Sequence, residues 1–65
     1  MFTVNGNKVK IEEHLTISGY LASAGIDPSL VVVEYNHQIP DRQEWPNIHI
    51  QNGDNLEIVK FIGGG

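Results

Sequence analysis

Apolar and polar residues alternate along Phe2-Thr3-Val4 and again along Lys8-Val9-Lys10-Ile11-Glu12, and Asn5-Gly6-Asn7 separates the two runs. Asn-Gly between alternating runs is a strong hairpin signal, because both residues tolerate positive φ. Strand periodicity puts Phe2, Val4, Val9 and Ile11 on one buried face and leaves Lys8, Lys10 and Glu12 in water. The period then changes. Ile17, Tyr20, Leu21 and Ala24 fall at i, i+3, i+4 and i+7, which is one face of a helix. Thr16 suits its N-cap, Gly25 the left-handed position after its last turn, and Ile26 the apolar contact that closes such a cap. Gly19 inside the helix costs ~1 kcal/mol relative to alanine, so a short helix held by packing is expected. Asp27-Pro28 ends it.

Leu30 to Tyr35 is a β-branched run bounded by turn residues and predicts a central strand. Asn36-His37-Gln38 reads as a turn. The irregular stretch from Ile39 through Pro40-Asp41-Arg42-Gln43-Glu44-Trp45-Pro46 has room for one helical turn between its prolines. Asn47 to Gln51 predicts a short edge strand, Asn52-Gly53-Asp54 a turn, and Leu56 to Ile62 a final strand. The fold class is therefore α+β: a mixed four- to five-stranded sheet with one helix packed across one face. The first and last strands are expected side by side and parallel at its centre. Residues 1–62 form the domain, and 63–65 form a tail.

Length adds a constraint. A chain of 65 residues holds one domain, and one this small buries only ~60% of its unfolded surface. It has no cysteine, so disulfides, thiolate metal sites and cysteine nucleophiles are out. The net charge is −4, with Lys8, Lys10, Arg42 and Lys60 as the only Lys or Arg. That argues against nucleic acid as a partner, which needs clustered cations, while suiting a basic protein partner. No apolar run reaches the ~20 residues of a membrane span. Met1-Phe2-Thr3-Val4 lacks the basic and apolar regions of a signal peptide, so a cytoplasmic protein is expected.

Candidate chemistry is sparse within the domain. His14, His37 and His49 have no ligand-like spacing, so no metal site is expected. Ser18, Ser23 and Ser29 lack a nucleophile-elbow context. Asp41, Glu44 and Asp54 are explained by turns and caps, and Trp45 by packing beneath the irregular loop. The tail is different. Gly63-Gly64-Gly65 follows the last strand directly, and chance would produce such a triplet with probability about 0.0003 at average glycine usage. Three residues without side chains can thread a narrow channel and present a bare carboxylate. If Leu56 and Ile58 face the helix, Val59 and Phe61 lie on the open face beside the tail, a candidate docking surface with Ile62 at its exit. Lys60 then points to the helix side near water, and Glu57 reads as a solvated charge, with a basic partner as the alternative.

The hairpin, single helix, valine-rich strand ending in Asn36, Ile39-Pro40-x-Arg42 with Trp45, Asn52-Gly53-Asp54-x-Leu56-Glu57-Ile58-Val59 and the glycine end together resemble the ThiS family. These are β-grasp (ubiquitin-like) sulfur carriers of thiamine biosynthesis, and the resemblance covers essentially the whole chain. It implies that Gly65 is adenylated by an ATP-dependent, E1-like activating enzyme and converted to a thiocarboxylate. The sulfur comes from a donor such as a cysteine desulfurase and passes to thiazole synthase. Gly63 and Gly64 complete the tail, Gly63 being one glycine more than the minimal Gly-Gly signature. The resemblance further implies a protein co-substrate and no enzyme, with no bound cofactor, ATP being used by the activating enzyme. A monomer is expected, since a carrier visits several partners. Two other readings stay open: a carrier for another pathway, such as molybdopterin-type cofactor or cysteine synthesis, and a β-grasp interaction module with an inert tail.

Overall fold

The computed structural model describes residues 1–61. Strand β1 (Phe2–Val4) and strand β2 (Asn7–Val9) pair antiparallel, with Val4 opposite Asn7. Asn5 and Gly6 alone form the turn, at φ of 51° and 83°, both left-handed as a two-residue type I′ hairpin requires. Asn7 thus belongs to β2. Pairing stops at Val9 and does not reach Glu12. Phe2 is the first residue of β1, and the Met1 carbonyl accepts instead from Gly53 N–H at 2.7 Å. Ile11 still packs on the core.

Helix α1 spans Ile17–Ser23. Thr16 is its N-cap, and its Oγ1 accepts from Gly19 N at 3.0 Å. At the other end Ile26 N donates to Leu21 O (2.9 Å) and Gly25 N to Ala22 O (3.1 Å), with Gly25 at φ +71°. That pair of bonds is the Schellman closure the sequence predicts. Ile17 and Leu21 are buried. Ala24 is exposed as the C-cap, and Ile26 takes its expected place against the core.

Strands β3 (Val31–Tyr35) and β4 (Asn55–Lys60) complete a four-stranded sheet of order β2-β1-β4-β3. The parallel β1–β4 pair lies at its centre, as expected. The valine-rich β3 does not: it pairs with β4 alone, and so is an edge strand. Val31 and Val33 are buried, while Val32 points to the opposite, open face. The run is continuously apolar because it serves two surfaces, not because two strands flank it. Beside β3 lies a 3₁₀ helix, Arg42–Asn47, longer than the single turn expected and with Pro46 inside it. Arg42 Nη2 donates to Val31 O at 3.3 Å, and its guanidinium lies 5.5 Å from the Trp45 ring centre. Trp45 is in the core, its Nε1 donating to Pro40 O.

The expected edge strand over Asn47–Gln51 does not form. Its backbone pairs with the entry to α1, Ile17 N donating to Ile48 O (3.1 Å) and Ile50 N to Leu15 O (2.8 Å). Those bonds bury Ile50 under the helix, where a sheet-edge position would have left it outside. Phe2, Val4, Ile17, Leu21, Val31, Val33, Trp45, Ile50 and Leu56 form one core between the helix and one sheet face. Phe2 meets Tyr20 edge-on.

Candidate functional site: the open sheet face beside the tail

Strand β4 alternates between the two faces. Leu56 is buried and Ile58 packs against the core, while Val59 and Phe61 are 61% and 53% exposed. Lys60 is exposed, and the final strand ends there. Phe61 lies past the strand but its N–H still donates to Leu30 O at 2.8 Å. Ile62, Gly63, Gly64 and Gly65 lie outside the described residues.

The register supplies the rest of this face. Val32 is opposite Val59 and Glu34 opposite Glu57. The Phe61–Leu30 bond sets these two residues level one row further on. Leu30 is 47% exposed. The open face therefore reads, toward the tail, as a glutamate row, a valine row and a Leu30–Phe61 row. Leu30, Val32 and Glu34 are the members the sequence reading missed. Their spacing at i, i+2 and i+4 carried the signal, once Val31 and Val33 were assigned to the core.

Both ends of β4 are tied down by side chains. Past the end of β1, Asn5 N donates to Leu56 O (2.9 Å), and its side-chain amide then brackets Ile58. Asn5 Oδ1 accepts from Ile58 N at 2.7 Å, and Asn5 Nδ2 donates to Ile58 O at 3.2 Å. A side chain thus continues the ladder where the backbone of β1 has turned away. At the start of β4, Asp54 Oδ2 accepts from Tyr35 Oη (2.5 Å) and Gln51 N (2.7 Å), and Oδ1 from Asn36 Nδ2 (3.1 Å). Asn36 Oδ1 in turn accepts from Asn55 N at 2.8 Å. Burial pushes the Asp54 carboxyl up, but the three donors outweigh it and hold it below the usual carboxylate value. Burial first, then the hydrogen bond to Asp54 and its charge, push the Tyr35 hydroxyl up to about 12. A fully engaged carboxylate and a firmly protonated phenol make a brace for a turn, with no reactive group among them.

A mixed sheet with parallel central strands, one helix across one face and the other face open, defines the ubiquitin-like β-grasp class. The model of the ThiS family matches residues 2–65. The sulfur carrier protein ThiS of Bacillus subtilis (strain 168) is 35% identical over 66 residues, covering all of both chains. A crystal structure of the thiamine biosynthesis protein ThiS from Geobacter metallireducens superposes with a TM-score of 0.81 at 27% identity, over 98% of this chain and 97% of that one. Thiazole synthase of Paramagnetospirillum magneticum (strain ATCC 700264 / AMB-1) is 36% identical over 62 residues, 95% of this chain, which spans only 19% of that protein. The chain belongs to the ThiS family.

Proposed function

We propose that this chain is a sulfur carrier that supplies sulfur for the thiazole part of thiamine. In this reading a carboxylate oxygen of Gly65 attacks the α-phosphorus of ATP on an activating enzyme and displaces pyrophosphate. The acyl-adenylate so formed has AMP as a good leaving group, which a free carboxylate lacks. A cysteine desulfurase is the natural origin of the sulfur, which arrives as a protein persulfide; its terminal sulfur adds to the carbonyl carbon and expels AMP, forming an acyl disulfide. A second thiol then attacks the donor cysteine's sulfur of that bond, becoming its disulfide partner and releasing the thiocarboxylate for thiazole synthase. The chain acts as co-substrate, and the enzymes that receive it provide the electrostatic stabilisation.

The observation that carries this reading is the apolar strip of Leu30, Val32, Val59 and Phe61, whose last row is two residues before the first of the terminal glycines in sequence. Exposed apolar surface concentrated at the root of a side-chain-free tail suits a partner that grips the strip and draws the terminus inward. Thiamine is favoured over another pathway because relatives of this chain include thiazole synthases and a ThiS sulfur carrier. The test is ATP–pyrophosphate exchange by the cognate activating enzyme, with mass spectrometry of the product. The full chain should support exchange and then exchange one terminal oxygen for sulfur, and a chain lacking Gly65 should do neither. Absence of any acyl-adenylate on the intact terminus would sink the proposal.

A further inference from the structure

Glu34 and Glu57 face each other across β3 and β4 on the open face, and both are half-buried. Directly opposed like charges destabilise an antiparallel pair. Among the described residues the only cationic group within 4.0 Å of either carboxylate is the imidazole of His37, at that limit from Glu34 and almost fully exposed. Lys60, three residues along β4 from Glu57, lies on the other face by strand alternation, and Lys8, on this face opposite Thr3, stands two strands away from β4.

Position makes the pair consequential. Successive rows on one face of a strand are ~7 Å apart, so the glutamates adjoin the Val32–Val59 row. A standard protein interface covers ~800 Å² on each partner, far more than two valines, Leu30 and Phe61 can provide. Any partner seated on the strip therefore also covers the glutamates. Taking two carboxylates out of water without a counter-charge is strongly unfavourable. The partner must bring a cation to this spot.

We propose that Glu34 and Glu57 jointly receive one arginine of the ATP-using activating partner, a guanidinium set among apolar side chains that cover Leu30, Val32, Val59 and Phe61. This rests on the carrier reading above. Arginine fits better than lysine, because its planar fork donates to two carboxylates at once and it sheds water more readily. The activating enzyme is the fitting occupant, since it brings an anionic terminus to an anionic nucleotide and needs a basic surround to do so. The opposed carboxylates become the registering contact of the complex.

The experiment measures kcat and KM for ATP–pyrophosphate exchange across a salt series, with thermal melts of each variant. Glu34→Gln/Glu57→Gln is compared with Glu12→Gln/Glu13→Gln, which removes the same charge from an exposed loop away from the face. We expect KM for the double sheet variant to rise about tenfold or more at low salt with a flatter salt dependence. Its kcat should stay within about twofold, and its Tm should be equal to or above that of the wild type. The loop variant should change KM less than about threefold, as rim charges do. A sheet variant with wild-type KM, or one matched by the loop variant, overturns this inference and leaves the carrier reading standing. No exchange with the wild-type chain removes both.

Discussion

Tyr35→Phe deletes one hydroxyl and leaves the ring in place, which isolates the bond that braces the start of β4. That hydroxyl donates to Asp54 Oδ2 at 2.5 Å, an oxygen that also accepts from Gln51 N. The pKa rise from 10.0 to about 12 sets a ceiling of ~2.7 kcal/mol at 1.36 kcal/mol per tenfold in proton affinity. Both groups are only partly buried, so solvent screening brings the expected loss to about 1.5 kcal/mol, the low end for a hydrogen bond to a charged group. In a domain of this size that is a fall in Tm of about 6–12 °C. The pH dependence identifies the cause. Tyr35 is raised when folded, so its contribution is whole below pH 10 and fades as pH climbs toward about 12. Asp54 is lowered from 3.8, so its contribution is whole above that pH and fades as pH falls through the lowered value. The gap between wild type and variant should be widest between these limits and narrow on both sides. Urea melts followed by Trp45 fluorescence at pH 2.5, 7 and 11 measure it. A gap that is the same at all three pH values would show that the hydroxyl acts by packing, and the bracing argument would be wrong.

Asn5→Gly keeps the left-handed turn but loses both bonds to Ile58, and a denaturant melt should show a loss of about 1 kcal/mol. Asn5→Ala should lose about 1 kcal/mol more, because alanine is strained at φ 51°. Gly25→Ala meets no atom within 4 Å, so its cost is the φ of +71° alone, about 1 kcal/mol, and a larger loss by calorimetry would refute that attribution. Phe61→Ala should leave stability within about 0.5 kcal/mol, as an exposed substitution. If Phe61 docks on the partner as proposed, KM for activation should rise in the same variant, and an unchanged KM would remove it from the docking surface.

Local signals carried most of the fold. Asn5-Gly6, Thr16 and Gly25 each require or favour one backbone geometry, and the chain adopts it at all three. The parallel β1–β4 centre was expected as well, and there Val4 and Leu56, partners in register, both reach the core. Where pattern misled, long-range competition decided. Ile48 and Ile50 have the alternation of a strand, but the backbone entering α1 offered them partners and the helix a site for Ile50. The run Leu30 to Val33 resembles a strand buried on both sides, because an exposed apolar strip and an apolar core look alike in one dimension. Of the candidate face, Val59 and Phe61 were legible from alternation along β4 alone. Leu30, Val32 and Glu34 follow by alternation only once Val31 and Val33 are known to face the core, which the continuously apolar run hides; the β3–β4 register then sets Val32 opposite Val59 and Glu34 opposite Glu57.

On the carrier reading proposed above, the arrangement of β4 puts recognition at this end of the sheet. The strand is held on one side by the Asn5 amide as far as Ile58, and on the other by β3 and the Leu30 carbonyl as far as Phe61. From Phe61 to Gly65 there are four residues, which extend at most about 14 Å. A partner that acts on the terminal carboxylate therefore meets the fold within that distance. It lands on the Phe61 row and the rows behind it, wherever else its surface extends. Within β4, Leu56 and Ile58 serve the core, while Glu57 and Val59, and Phe61 just past its end, point away from it. Alternation with a period of two thus lets one strand hold the fold with one set of side chains while the other set faces outward, available to the docking proposed above.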